Sequence, residues 1–94
     1  MPDIEIGPET ETQHNWQYPV RVFAQGKTHE FDVTLSFQDY NLWSGGRVPP
    51  SQVVQAAFKF LLMNEGPEEI MARFDCSVIR RYFPKVDQEL SGLL

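Results

Sequence analysis

The chain has 94 residues, 41% of them hydrophobic and 13% aromatic, enough for one small domain to bury a core without metal or disulfide staples. Its net charge of −5 sits mostly at the front: residues 1–15 hold Asp3, Glu5, Glu9 and Glu11 and no Lys or Arg, so the rest, with eight basic and nine acidic side chains, is close to neutral. Such a balance gives a polyanion little to attract it, the single Cys76 excludes an internal disulfide, and the longest apolar run, Phe60 to Met63, is far short of the roughly 20 residues a membrane span needs.

Residues 1–15 contain two prolines, a glycine and little that is apolar beyond Met1, Ile4 and Ile6, so they are expected to be an acidic flexible tail. No basic region precedes an apolar one there, as a signal peptide would require, and a cytoplasmic protein of bacterial type is the expectation. Order is expected from Trp16 onward, as one small α+β domain over 16–94.

Trp16, Tyr18, Val20, Val22 and Ala24 alternate along one stretch, and Phe31, Val33, Leu35 and Phe37 along the next. Gly26-Lys27 between them suits a type II′ turn, which predicts a hairpin whose facing residue numbers add to 53. Val22 then meets Phe31, Val20 meets Val33, and Arg21 falls opposite Asp32. Pro19 conflicts with this register, because it stands where the ladder wants an N–H.

The stretch from Gln38 to Pro50 is rich in Asp, Asn, Ser, Gly and Pro and is expected to be a long loop. A helix follows from about Pro50 to Asn64, with Val53, Val54, Ala57, Phe58, Phe60, Leu61 and Leu62 covering more than half its circumference. Pro67 to Phe74 is predicted to form a short second helix. Asp75 is expected to cap a third, with Val78, Ile79, Tyr82 and Phe83 inward and Ser77, Arg80 and Arg81 outward. Lys85 to Leu94 can add a turn or two, with Leu90 and Leu93 packing back. The predicted fold is α+β, an N-terminal two-stranded antiparallel hairpin followed by three helices packed on one face of the sheet.

Ser44-Gly45-Gly46-Arg47 has the parts of an anion loop, but neither dinucleotide nor P-loop spacing is present, and two prolines remove N–H groups before the helix. It reads as a turn. Cys76 follows a cap, where a helix dipole can activate a thiol, yet its only imidazole partners are His14 in the tail and His29 beside the hairpin turn. No spacing of His, Cys or carboxylates suits a metal, Asp32 and Asp39 included, and no cofactor is implied. Arg73, Arg80, Arg81 and Lys85 form the one basic cluster, without an aromatic strand or helix-turn-helix beside it. Tyr40, Leu42 and Trp43 either plug one end of the sheet or anchor a partner.

No motif carries a family resemblance. The expected function is non-catalytic and works through protein–protein contacts, with Tyr40, Trp43, Arg47, Arg80 and Arg81 as the candidate interaction surface. The alternatives are a nucleic-acid-associated protein using the Arg80 and Arg81 face, and a minor thiol enzyme using Cys76. Since Thr28 to Phe37 lacks Pro and Gly, a homodimer pairing this second strand with its twofold copy is also expected.

Overall fold

The computed structural model of the protein describes residues 2–94; residue 1 of the expected tail lies outside them. The fold is α+β, but its sheet has five strands rather than two. Strands β3 (Asn15–Ala24) and β4 (Lys27–Ser36) form the expected hairpin. Ten residues each, they alternate buried and exposed positions, so Tyr18, Val20, Val22, Phe31, Val33 and Leu35 all enter the core. The opposite face is solvated and carries exposed ion pairs, Arg21 with Glu30 at 3.4 Å and Arg73 with Asp32 at 3.5 Å.

The register differs from the expected one by two residues: Val20 faces Phe31, Tyr18 faces Val33, Trp16 faces Leu35, and Arg21 faces Glu30 instead of Asp32. The turn is Gln25-Gly26, with φ of 57° and 74°. Positive φ at both central residues marks a type I′ turn, whose twist matches that of the flanking strands. A shift of two leaves every side chain on its own face, so apolar alternation cannot tell the two registers apart. Pro19 can. It now stands opposite Asp32 in a pair that exchanges no hydrogen bonds, and its missing N–H points away from β4. Its carbonyl points the same way and accepts the Gly7 N–H at 2.7 Å.

That outer edge is covered by the segment expected to be a flexible tail. Strand β1 (Asp3–Ile6) pairs antiparallel with β3, placing Ile4 beside Val22 and Ile6 beside Val20. Strand β2 (Thr10–Glu11) resumes the pairing opposite Gln17 and Trp16. The gap between them, Gly7 to Glu9, falls where Pro19 can offer no donor. A Cβ on Gly7 would come within 2.6 Å of the Pro19 ring, so a side chain there would push β1 off the sheet. The Tyr18 hydroxyl donates to Glu9 and ties this gap to the hairpin.

The expected loop after the hairpin begins instead as helix α1 (Phe37–Ser44). Ser36 caps it by accepting the Asp39 N–H at 3.0 Å, and Gly45, in the left-handed region, closes it by donating to the Asn41 carbonyl at 2.8 Å. Phe37 therefore leaves the strand and meets Trp16 edge-on at 4.5 Å. Helix α2 (Pro50–Asn64) matches its expected span. Val53, Val54, Ala56, Ala57, Phe58, Phe60 and Leu61 are buried, Lys59 is exposed, and Leu62 is half-buried. It covers the inner face of the sheet, with Phe58 and Phe31 ring centres 5.2 Å apart.

Beyond α2 the expected second helix is absent. Pro67–Glu69 make one 3-10 turn, closed by the Gly66 N–H donating to Glu69 Oε1 at 2.9 Å. The chain then extends as β5 (Arg73–Asp75), parallel to β4. Asp75 caps the next segment as expected, accepting the Ser77 N–H at 3.0 Å, but that segment is a 3-10 turn (Cys76–Val78) running into the four-residue α3 (Ile79–Tyr82). Helix α4 (Val86–Glu89) and a last 3-10 turn (Leu90–Leu93) bring Val86 and Leu90 into the core. Among the described residues four α-helices thus replace the three predicted.

Strand β5 also lies along part of the edge expected to make the dimer contact. It pairs with Asp32, Val33 and Thr34, and the Asp32 N–H donates to the Ala72 carbonyl at 2.8 Å. The middle of the second strand has no free edge for a twofold copy, and Phe37 has left for α1.

Candidate functional site

The expected contact residues divide between the interior and the surface. Trp43 and Arg80 come together, but as part of a polar knot that ties α1 to the C-terminal turns. The Trp43 indole N–H donates to Asp87 Oδ1 at 2.7 Å. Arg80 donates to both oxygens of Asp87, at 3.0 and 3.2 Å, and to Asp39 Oδ1 at 2.9 Å. Its guanidinium lies 5.5 Å from the centre of the Trp43 ring. Trp43 and Asp39 are buried, and Arg80 is half-buried rather than outward. The Arg80 hydrogen bonds, with help from the Trp43 N–H, hold the Asp87 carboxyl below its ordinary range. Ser91 adds a bond to the Trp43 carbonyl at 2.8 Å. This knot fastens the C-terminal turns to α1.

Tyr40, one turn before Trp43, is half-buried and donates to the Val48 carbonyl at 2.6 Å. Arg47 is exposed and folds its Nε onto the Ser44 carbonyl at 2.9 Å, so the Gly45-Gly46 loop serves as a helix stop with its arginine turned back. Arg81 is exposed and Arg80 is held by Asp39 and Asp87, so the two do not share an open basic face. Of Tyr40, Leu42 and Trp43, Leu42 alone is well exposed.

Cys76 is completely buried, and burial first, then the nearby Asp75 and Asp39, push its thiol above the ordinary range. It is held as a neutral core side chain. Among the described residues no three His, Cys, Asp or Glu side chains cluster as metal ligands, and no helix is long and apolar enough to cross a membrane.

The feature that the sequence did not disclose is a groove of about 190 Å³ between the C-terminal end of α2, the segment before β5, and α3. Leu61, Ile70, Phe74 and Ile79 form its floor and walls, while Met71 and Tyr82 stand at its rim. Tyr82 was expected on the inner stripe, yet 67% of it is exposed. The cause is the 3-10 turn before α3: at three residues per turn the side chains after it are rotated away from a 100° pattern. Met71, expected within a helix, is 45% exposed on the extended segment entering β5.

Glu65 and Glu69 complete the groove at one end. Glu65 is half-buried, and burial followed by repulsion from Glu69 raises its carboxyl above the ordinary range. Among the described residues, no Lys, Arg or His lies within 4.0 Å of the carboxylates of Glu65, Glu68 or Glu69. Glu65 also caps the C-terminus of α2, whose last turn holds no basic residue. The negative end of the helix dipole therefore adds to the same charge. The acidic run Glu65 to Glu69 is visible in the sequence, but its placement beside an apolar groove depends on β5 and α3.

Comparison with known proteins finds no family model, no curated protein and no solved structure that matches this chain.

Proposed function

We propose that this chain is a non-catalytic contact module that holds another protein at the groove between α2 and α3. The observation that supports this is the pairing of an apolar floor with large apolar side chains left in solvent at its rim, Met71 and Tyr82. Exposed aromatic and methionine side chains around an apolar pocket are the composition of a contact hot spot. The volume argues for a protein rather than a free small molecule. Pockets for drug-sized ligands start near about 300 Å³, whereas 190 Å³ suits a single large side chain inserted from a partner surface. A reducing, cytoplasmic setting agrees with this reading, since Cys76 is an unpaired thiol.

The test is site-specific photocrosslinking in host cells, with a benzophenone amino acid at position 82 and, as control, at Gln17 on the solvated face of the sheet. A discrete adduct from position 82, absent from position 17 and lost when Met71→Ser is added, is the expected outcome. Equal labelling from both positions would reject the groove as the contact site.

A further inference from the structure

We infer that the occupant of the groove is a basic segment of a partner protein, one large apolar side chain entering between Ile70 and Ile79 while a neighbouring Lys or Arg meets Glu65 and Glu69. This rests on the proposed contact site and specifies its chemistry. Three observations converge on a cation. Burial first, and Glu69 beside it second, raise the Glu65 carboxyl, and no basic side chain of the described residues lies within 4.0 Å of either carboxylate. The C-terminus of α2 points its negative end to the same place, without a Lys or Arg in its last turn. Elsewhere in the fold a cation does serve such a pair of carboxylates: Asp39 and Asp87 share Arg80. A cation brought by the partner would complete at the groove what Arg80 does for α1 and α4.

The geometry also sets the order of effects. Glu69 already accepts the Gly66 N–H through Oε1, which fixes its carboxylate and leaves Oε2 for the incoming charge. Glu65 is the less solvated of the two, half-buried where Glu69 is exposed, so it gains more from a neighbouring cation. An acidic or phosphorylated partner would instead meet repulsion from both.

The probe is a phage library of random 12-residue peptides, selected on the immobilised 94-residue chain. Recovered peptides are then synthesised and titrated by fluorescence anisotropy. Each is measured against the wild type, Tyr82→Ala, and the double variant Glu65→Gln/Glu69→Gln, at low and high salt. The expected peptides carry a large apolar residue with Lys or Arg within a few positions. They lose affinity on Tyr82→Ala, and bind the double variant about three- to tenfold more weakly with a flatter salt dependence. Both substitutions are at exposed or half-exposed side chains, and thermal melts verify that the variants fold. Peptides that need Tyr82 but carry no basic residue, or that bind the double variant equally well, would overturn the cation and leave the contact site standing. Recovery of no peptide, or only of peptides indifferent to Tyr82→Ala, would overturn both. Light scattering that shows a dimer dissolved by Tyr82→Ala would make the occupant a second copy of this chain, and that too overturns a basic partner.

Discussion

From Asn15 to Ser36, and again from Pro50 to Asn64, the chain buries alternate strand positions and most of a four-turn helix. From Pro67 to Leu94 it never holds an α-helix longer than four residues. The first region is held by apolar area and by ladder and helix hydrogen bonds. The second contributes single apolar side chains, Ile70, Cys76, Ile79, Val86 and Leu90, and is fixed in place by polar bonds to distant residues. Trp43 reaches Asp87 and Ser91, Asp39 reaches Arg80, and Thr34 reaches Asp75 at 2.5 Å. The difference teaches that short turns need side-chain pins where long elements rely on periodic burial, and that loosely wound turns leave large side chains such as Tyr82 outside.

The largest test of this contrast lies in the first region. Phe58 is fully buried and touches both Phe31 and Phe74, at 5.2 and 5.9 Å between ring centres. Phe58→Ala should cost about 3–5 kcal/mol in a urea melt, since the sheet and helix around it cannot collapse onto the space. A loss under about 1 kcal/mol would mean that the core is far more yielding than its burial indicates.

Asp87 tests the second region and should give a smaller effect. Asp87→Ala leaves the buried Trp43 indole N–H without its acceptor and Arg80 with Asp39 alone, a loss of about 1–3 kcal/mol. The pH dependence sharpens the assignment. The Asp87 carboxyl is held down chiefly by Arg80, so its contribution is present above the usual unfolded value of about 4 and is lost as pH falls through the lower folded value. Urea melts from pH 6 down to pH 2 should therefore lose less stability in Asp87→Asn than in the wild type. Parallel curves would remove Asp87 from its role as a charged pin.

How much of this could be read from the amino acids follows the same division. Helix α2 was legible to the residue because its apolar arc, Pro50 and the turn beyond it agree. The hairpin faces were legible too. Its register was not read correctly, although Pro19 carried the answer: a missing N–H tolerates only the pairing that turns it away from β4. Two further signals were present and outvoted. Ser36 and Asp39 have the spacing of a helix cap, hidden by the loop-like Asp, Asn and Gly that follow, and Ile4 and Ile6 alternate within an acidic stretch. Strand β5 left no such trace, since three residues between turns set no period. The knot of Trp43, Arg80 and Asp87 joins positions about forty residues apart, and the groove exists only once β5 and α3 have been laid down. Neither belongs to any window of sequence.

The smallest expected effect concerns Glu65, where the two regions meet, and it has the opposite sign to Asp87. Burial and Glu69 raise the Glu65 carboxyl in the folded chain. A raised folded value means that the protonated form suits the fold: its stabilisation is complete below the unfolded value of about 4.3 and is lost as pH rises through the folded one. At neutral pH the carboxylate therefore works against folding, beside Glu69 and at the negative end of α2. Glu65→Gln should raise the melting temperature at pH 7 by about 1–3 °C, an increment in keeping with a few tenths of a kcal/mol in a domain of this size. At pH 3, where Glu65 is itself neutral, the gain should vanish. A gain of equal size at both pH values would trace it to the shape of the glutamine and not to charge. The same substitution is expected to weaken capture of a basic peptide. One carboxylate would then be seen to cost the free chain stability and to supply its contact with a partner, while the other, at Asp87, serves the fold alone.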